Sequence, residues 1–129
     1  MPQNQALRMK KICPNKINTI NEKEILVVDV RENFEFKEYR IDVENIENIP
    51  LSEIDNKIQE FPDNREVILV CNNGLRSEMA LKFLEQRGFR NLKFIEGGIV
   101  KWIQNHLKII GNAPDIVSHS LSLDKTCGK

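Results

Sequence analysis

Cys71 and Arg76 have the clearest chemical potential in this chain, and four residues separate them directly after an apolar run. The run, Val67 to Val70, predicts a buried β-strand that ends at the cysteine. A helix pattern begins a few residues later, and open α/β sheets bind their ligands where a parallel strand gives way to a helix. The unpaired N–H groups and positive end of such a helix favour an anion, including a thiolate. We therefore interpret Cys71 as a thiolate nucleophile beside an anion site.

The loop after the cysteine strengthens this interpretation. Its asparagines and glycine readily adopt turn and left-handed conformations, which would let successive N–H groups point inward. Arg76 adds a permanent cation with several donors. The candidate substrate- or anion-binding loop consists of Asn72, Asn73, Gly74, Leu75, Arg76 and Ser77. Position alone leaves a simpler alternative open, because free cysteines are often small buried core residues.

Strand and helix patterns alternate on both sides of this loop. The expected elements are a short helix from Pro14 to about Ile20, a strand from Ile25 to Val30, a short helix within 31–39, a short strand within 41–48, a helix capped by Ser52, the Val67 strand, a helix from Ser77 to Gln86, a strand from Leu92 to Ile95 and a final helix from Ile99 to Ile110. Such alternation predicts an α/β fold with a parallel sheet and helices on both faces.

The chain divides into one domain and two polar ends. Residues 1–11 are predicted to form an N-terminal arm, residues 12–111 the globular domain and residues 112–129 a C-terminal tail. The arm and tail lack sustained hydrophobic periodicity. A single domain of this size can bury a substantial core without cross-links.

Composition excludes several classes of function. Nineteen basic residues balance nineteen acidic ones, so no global field attracts nucleic acid or an anionic membrane. No apolar run approaches the roughly 20 residues of a membrane span, and no secretory signal is evident, so we expect a cytoplasmic protein. Cys13, Cys71 and Cys127 are widely spaced and odd in number, which argues against a disulfide framework and a zinc site. We expect no metal and no other cofactor.

Four motifs in one order carry a resemblance to a known family. They are Val28–Glu32, Asn48–Ser52, Cys71–Ser77 and Glu96–Ile99 followed by Trp102. On these motifs the chain resembles a single-domain rhodanese, a sulfurtransferase module, from about Ile12 to Ile110. The resemblance implies a rhodanese-like three-layer fold with a central, mainly parallel sheet of about five strands.

The resemblance also implies a reaction. Cys71 would accept a sulfane sulfur from a small donor, thiosulfate or a persulfide, and pass it to a thiol or another nucleophile, including one on an acceptor protein. Inward N–H groups and Arg76 would stabilise the charge on sulfur. Asp29 and Arg31, at a neighbouring strand end, are expected to form a structural ion pair, with support of Cys71 as the alternative. Cys127 is a candidate relay thiol.

Two other functions compete with sulfur transfer. The first is a non-catalytic rhodanese-like docking or sensing domain, which would need neither Cys71 nor Arg76. The second is a phosphatase or arsenate reductase, but those enzymes use a loop one residue longer to wrap a tetrahedral oxyanion. Many thiosulfate-using rhodaneses carry a basic residue at the position of Asn72, so attraction for a dianionic donor is expected to be weaker here.

Overall fold

The protein is described by a computed structural model that covers residues 10–19 and 22–114. In chain order its strands and α-helices are β1 (Lys11–Ile12), β2 (Ile25–Asp29), α1 (Asn33–Glu38), β3 (Tyr39–Ile41), β4 (Ile46–Asn48), β5 (Glu66–Val70), α2 (Leu75–Gln86), β6 (Leu92–Ile95), α3 (Gly98–Gln104) and β7 (Ile109–Gly111). Short 3-10 helices cover Pro14–Thr19, Glu22–Glu24, Leu51–Glu53 and Ile58–Glu60.

Five parallel strands form the central sheet, in the order β1-β6-β5-β2-β4. Side chains of the central strands alternate between two cores: Leu26 and Val28 face the α2 side, whereas Ile25 and Val27 face the α3 side. Both faces of β2 are therefore covered, which explains its continuous apolar sequence. The expected α/β fold, with a parallel sheet between two helical layers, is confirmed.

The end of the last helix differs from the expectation. α3 stops at Gln104 rather than at Ile110, because the chain turns at His106, whose φ is 61°. The Leu107 N–H then donates to the Trp102 carbonyl at 3.1 Å. The isoleucines that suggested further helix instead form β7, which pairs antiparallel with β3. Helical spacing of a few isolated isoleucines does not distinguish a helix from a helix followed by a strand.

The segment after Ser52 also differs from the expectation. It forms two 3-10 turns rather than one α-helix, with the Glu60 N–H donating to the Lys57 carbonyl three residues back at 2.9 Å. Asp55 and Asn56 lie between the turns, and such side chains compete with helical hydrogen bonds. The Ser52 hydroxyl donates to the Glu32 carboxylate at 2.9 Å instead of capping a helix.

Two further expectations concern the domain limits and the cysteines. Lys11, assigned to the arm, belongs to β1 and pairs with Phe94 at the edge of the sheet. Cys13 is disulfide-bonded, which contradicts the argument against disulfides, whereas Cys71 is a free thiol. Cys127 and most of the predicted arm and tail lie outside the described residues. No helix in the described ranges is long and apolar enough to span a membrane.

Candidate functional site

Cys71 lies at the carboxyl end of β5, in the middle of the sheet, and its side chain is completely buried. Its Sγ atom accepts hydrogen bonds from the backbone N–H groups of Gly74 at 3.1 Å and Ser77 at 3.4 Å. Gly74 is the N-cap residue of α2 and Ser77 lies in its first turn, where N–H groups have no partner within the helix. Hydrogen bonds of this kind stabilise negative charge on the sulfur.

α3 holds the loop from the other side. The N–H groups of Ile99 and Val100 donate to the carbonyls of Cys71 and Asn72 at 2.9 Å and 3.0 Å. Gly98 makes this approach possible: its φ is +63°, and a Cβ atom would press against those two carbonyl oxygens. The first two peptide groups of the loop are therefore fixed to α3 through their oxygen atoms.

The loop differs from the expected succession of inward N–H groups. The Leu75 N–H donates to the Asn73 side chain at 3.0 Å, so it is not available to an anion. Gly74 has a left-handed backbone with φ of 97°. Asn72 and Asn73 do not, because His106 is the one non-glycine residue with a positive φ in the described ranges. The asparagines therefore act through their side chains, and the donors on sulfur come from Gly74 and Ser77.

The Asn72 side chain joins the loop to the segment after β2. Its Oδ1 atom accepts from the Tyr39 hydroxyl at 2.9 Å and from Arg31 Nη1 at 3.4 Å. Its Nδ2 atom donates to Glu35 Oε2 at 3.4 Å. Burial raises the pKa of Tyr39 above its ordinary value, which keeps this hydroxyl a hydrogen-bond donor. Asn72 is therefore a connecting residue and offers no positive charge.

Asp29 and Arg31 form an ion pair with no exposed side-chain surface, and Nη2 and Oδ2 are 2.8 Å apart. The Arg31 guanidinium also donates to the Tyr39 carbonyl and lies 4.6 Å from the centre of that ring. The pair is thus a structural ion pair, as the sequence suggested, and Arg31 contacts the loop through the Asn72 side chain.

Arg76 does not face the loop as a free cation. Its Nη1 and Nη2 atoms donate to the two carboxylate oxygens of Glu35, at 2.8 Å and 3.1 Å. These hydrogen bonds lower the pKa of Glu35 and raise that of Arg76. Sequence reasoning missed Glu35, although one signal was available: α1 begins at the carboxyl end of β2, the same edge of the sheet that carries the Cys71 loop.

A family model for the rhodanese-like domain matches residues 16–105, which include four of the five strands of the central sheet, the loop and α3. The chain belongs to the rhodanese-like family. A rhodanese-related protein of known structure from Thermoplasma volcanium is 32% identical, with a TM-score of 0.70, over 80% of this chain and 99% of that one. The expected family and fold are confirmed.

Named relatives of this rhodanese-like domain differ in length and in activity. A protein named sulfurtransferase from Allochromatium vinosum is 30% identical over 67% of this chain and 79% of its own length. A tRNA uridine(34) hydroxylase from Pelagibacter ubique is 34% identical over 73% of this chain. The matched region spans only 32% of that hydroxylase, about a third of its length. The shared part is the rhodanese-like domain.

Ser77 of the rhodanese-like domain carries a buried hydroxyl that has no hydrogen-bond partner among residues 10–19 and 22–114. Its contact with Cys71 is made by the backbone N–H, which alanine retains. Ser77→Ala should therefore leave the free energy of unfolding unchanged or raise it by up to about 1 kcal/mol, because an unsatisfied buried polar group is removed. Urea denaturation measures this, with Ser52→Ala as the comparison, since the Ser52 hydroxyl has a partner. A decrease of more than about 1 kcal/mol in the free energy of unfolding of Ser77→Ala would show that the hydroxyl does have a partner.

Proposed function

We propose that this chain is a sulfurtransferase that moves a sulfane sulfur from thiosulfate or a persulfide to a thiol or other nucleophile, and that Cys71 carries the sulfur. The observation that best supports this is the pair of N–H groups, from Gly74 and Ser77, on the Cys71 sulfur. A free thiol held in this way is suited to act as a thiolate. The family membership and the similarity to a named sulfurtransferase support the same reaction class.

The first half-reaction transfers sulfur to Cys71. The thiolate attacks the outer sulfur of the donor, and a new S–S bond forms as the donor's own S–S bond breaks. Sulfite leaves from thiosulfate with the electron pair, whereas a persulfide donor releases its carrier as a thiolate. The Gly74 and Ser77 N–H groups, which point at the sulfur before reaction, stabilise charge there without rearranging.

The second half-reaction passes the sulfur on. A thiolate of the acceptor attacks the outer sulfur of the Cys71 persulfide, and Cys71 leaves as a thiolate. No external oxidant or reductant is needed, since one S–S bond is exchanged for another. The acceptor is a small thiol or a cysteine on a protein; neither nucleic acid nor membrane has a role in this proposal.

Local geometry disfavours a phosphatase or arsenate reductase. Such enzymes surround a tetrahedral oxyanion with N–H groups and a cation. Here the Leu75 N–H donates to the Asn73 side chain and the Arg76 guanidinium donates to Glu35, so these donors are not available to an oxyanion. Hydroxylation is not proposed either, because the similarity to the tRNA hydroxylase covers only about a third of that protein. A docking domain remains the principal competitor, since it would require no chemistry at Cys71.

Intact mass spectrometry tests the proposal. The purified chain is incubated separately with thiosulfate and with cysteine persulfide, and we expect a mass gain of one sulfur from at least one donor. Cys71→Ser should lose this adduct entirely, because Cys71 is the free thiol of the described chain. Absence of an adduct from both donors would favour the docking domain. An adduct that survives in Cys71→Ser would place the chemistry on another residue.

A further inference from the structure

We infer that Glu35 sets the donor preference of this site: by neutralising Arg76 it disfavours dianionic thiosulfate and favours a persulfide carried on an organic thiol. This inference rests on the proposed sulfur transfer and narrows its substrate class. Glu35 is a specificity-determining residue in this view, because it acts through Arg76 and not by contact with Cys71.

The Glu35 carboxylate is held in one position by its hydrogen bonds. Oε1 accepts from Arg76 and also from the Glu32 backbone N–H at 3.0 Å. Oε2 accepts from Arg76 and from the Asn72 amide. Four hydrogen bonds hold the carboxylate, and the bidentate pairing directs two donors of Arg76 toward it. The neutralisation is therefore built into the resting structure.

The cationic side chains at the loop are paired with carboxylates. In the part of the chain that the structure describes, Arg31 pairs with Asp29 and Arg76 pairs with Glu35. A dianion near Cys71 would meet backbone N–H groups and balanced charge. A neutral or singly charged persulfide needs less positive charge nearby, because its Coulomb interaction with the site is smaller than that of a dianion.

Exposed apolar side chains neighbour Glu35 and Arg76 in the sequence. Phe34, Leu75 and Met79 are 71%, 65% and 60% exposed, and we call these three residues the apolar rim. Phe34 precedes Glu35, Leu75 precedes Arg76, and Met79 follows Leu75 by one turn of α2. Such side chains cannot compensate an inorganic dianion, but they can contact the carbon atoms of an organic carrier. The rim therefore fits an organic persulfide.

Glu35→Gln tests the inference, because glutamine keeps the size and shape of the side chain and removes its charge, while its amide nitrogen no longer accepts hydrogen bonds. We expect the rate constant for sulfur uptake from thiosulfate to rise about tenfold, as one partly exposed charge is removed near the site. Uptake from cysteine persulfide should change less than about twofold, and the gain with thiosulfate should shrink at high salt. Glu38→Gln is the matched control, since Glu38 is an exposed carboxylate on the same helix; it should leave the donor ratio unchanged.

Alkylation of Cys71 by neutral iodoacetamide separates charge from access. Because Cys71 is fully buried, a variant that merely loosened the loop would react faster with every reagent. We expect Glu35→Gln to alkylate at the wild-type rate. An unchanged donor ratio, or equal acceleration with both donors and iodoacetamide, would overturn the role of Glu35 while leaving sulfur transfer intact. Failure of the wild type to load sulfur from either donor would instead overturn the proposed function, and this inference with it.

Discussion

Gly98→Ala is expected to lower the free energy of unfolding by about 3 kcal/mol and to remove most sulfur loading. Gly98 has a φ of +63°, and an added Cβ would collide with the backbone carbonyls of Cys71 and Asn72. These are rigid atoms, and α3 holds them by hydrogen bonds from Ile99 and Val100. Relief of the collision requires the loop to move, which would displace the donors on Sγ. Urea denaturation and the sulfur-loading assay measure the two effects.

Gly88→Ala is the matched control for this substitution. Gly88 also has a left-handed backbone, with φ of +96°, but nothing lies within 4 Å of an added Cβ. Gly88→Ala should lower the free energy of unfolding by only about 1 kcal/mol, through backbone strain, and sulfur loading should be unaffected. If the two substitutions cost the same, the close approach of α3 to the loop contributes nothing to stability.

Arg31→Met is expected to lower the free energy of unfolding by about 3–5 kcal/mol, because it leaves the Asp29 carboxylate buried and unpaired. Both side chains have no exposed surface, and Arg31 also donates to the Tyr39 carbonyl and to Asn72. The same substitution removes one anchor of the Asn72 side chain. Urea denaturation near neutral pH measures the loss.

Two comparisons isolate the cause of that loss. Lys57→Met breaks an exposed ion pair with Glu53, in which Nζ and Oε1 are 3.0 Å apart, and should leave the free energy of unfolding nearly unchanged. The double variant Asp29→Asn/Arg31→Met should be more stable than Arg31→Met alone, since the unpaired carboxylate is gone. A double variant that is less stable than the single one would show that the loss comes from packing around Arg31 rather than from buried charge.

Both substitutions concern the support of the Cys71 loop. α3 holds the loop through two of its carbonyls, and the Asp29–Arg31 pair holds it through Asn72. The N–H groups that point at Sγ are consequently in place before any donor arrives. Preorganised donors are the kind that stabilise developing charge most effectively. The stability of the loop and the proposed chemistry therefore depend on the same contacts.

Local sequence patterns were sufficient to predict the central strands and the position of the candidate site. The apolar runs indicated the central strands, because strands covered on both faces have continuous hydrophobic sequences. The order of strand, cysteine, short loop and helix indicated where a reactive group would lie, since parallel strands deliver their carboxyl ends to one edge of the sheet. Each of these inferences uses residues that are close together in the chain.

Tertiary structure decided the rest. The β3–β7 pair joins Tyr39–Ile41 to Ile109–Gly111, which are far apart in the chain, so neither segment shows alone that it is a strand. The environment of Arg76 was likewise beyond local reasoning: its partner Glu35 lies 41 residues earlier, and many other carboxylates could have been that partner. The sequence thus determined that only four residues separate a cysteine from an arginine, and the fold determined that this arginine is neutralised. The physical reason is that charge pairing depends on distances in space, which only the packed elements establish.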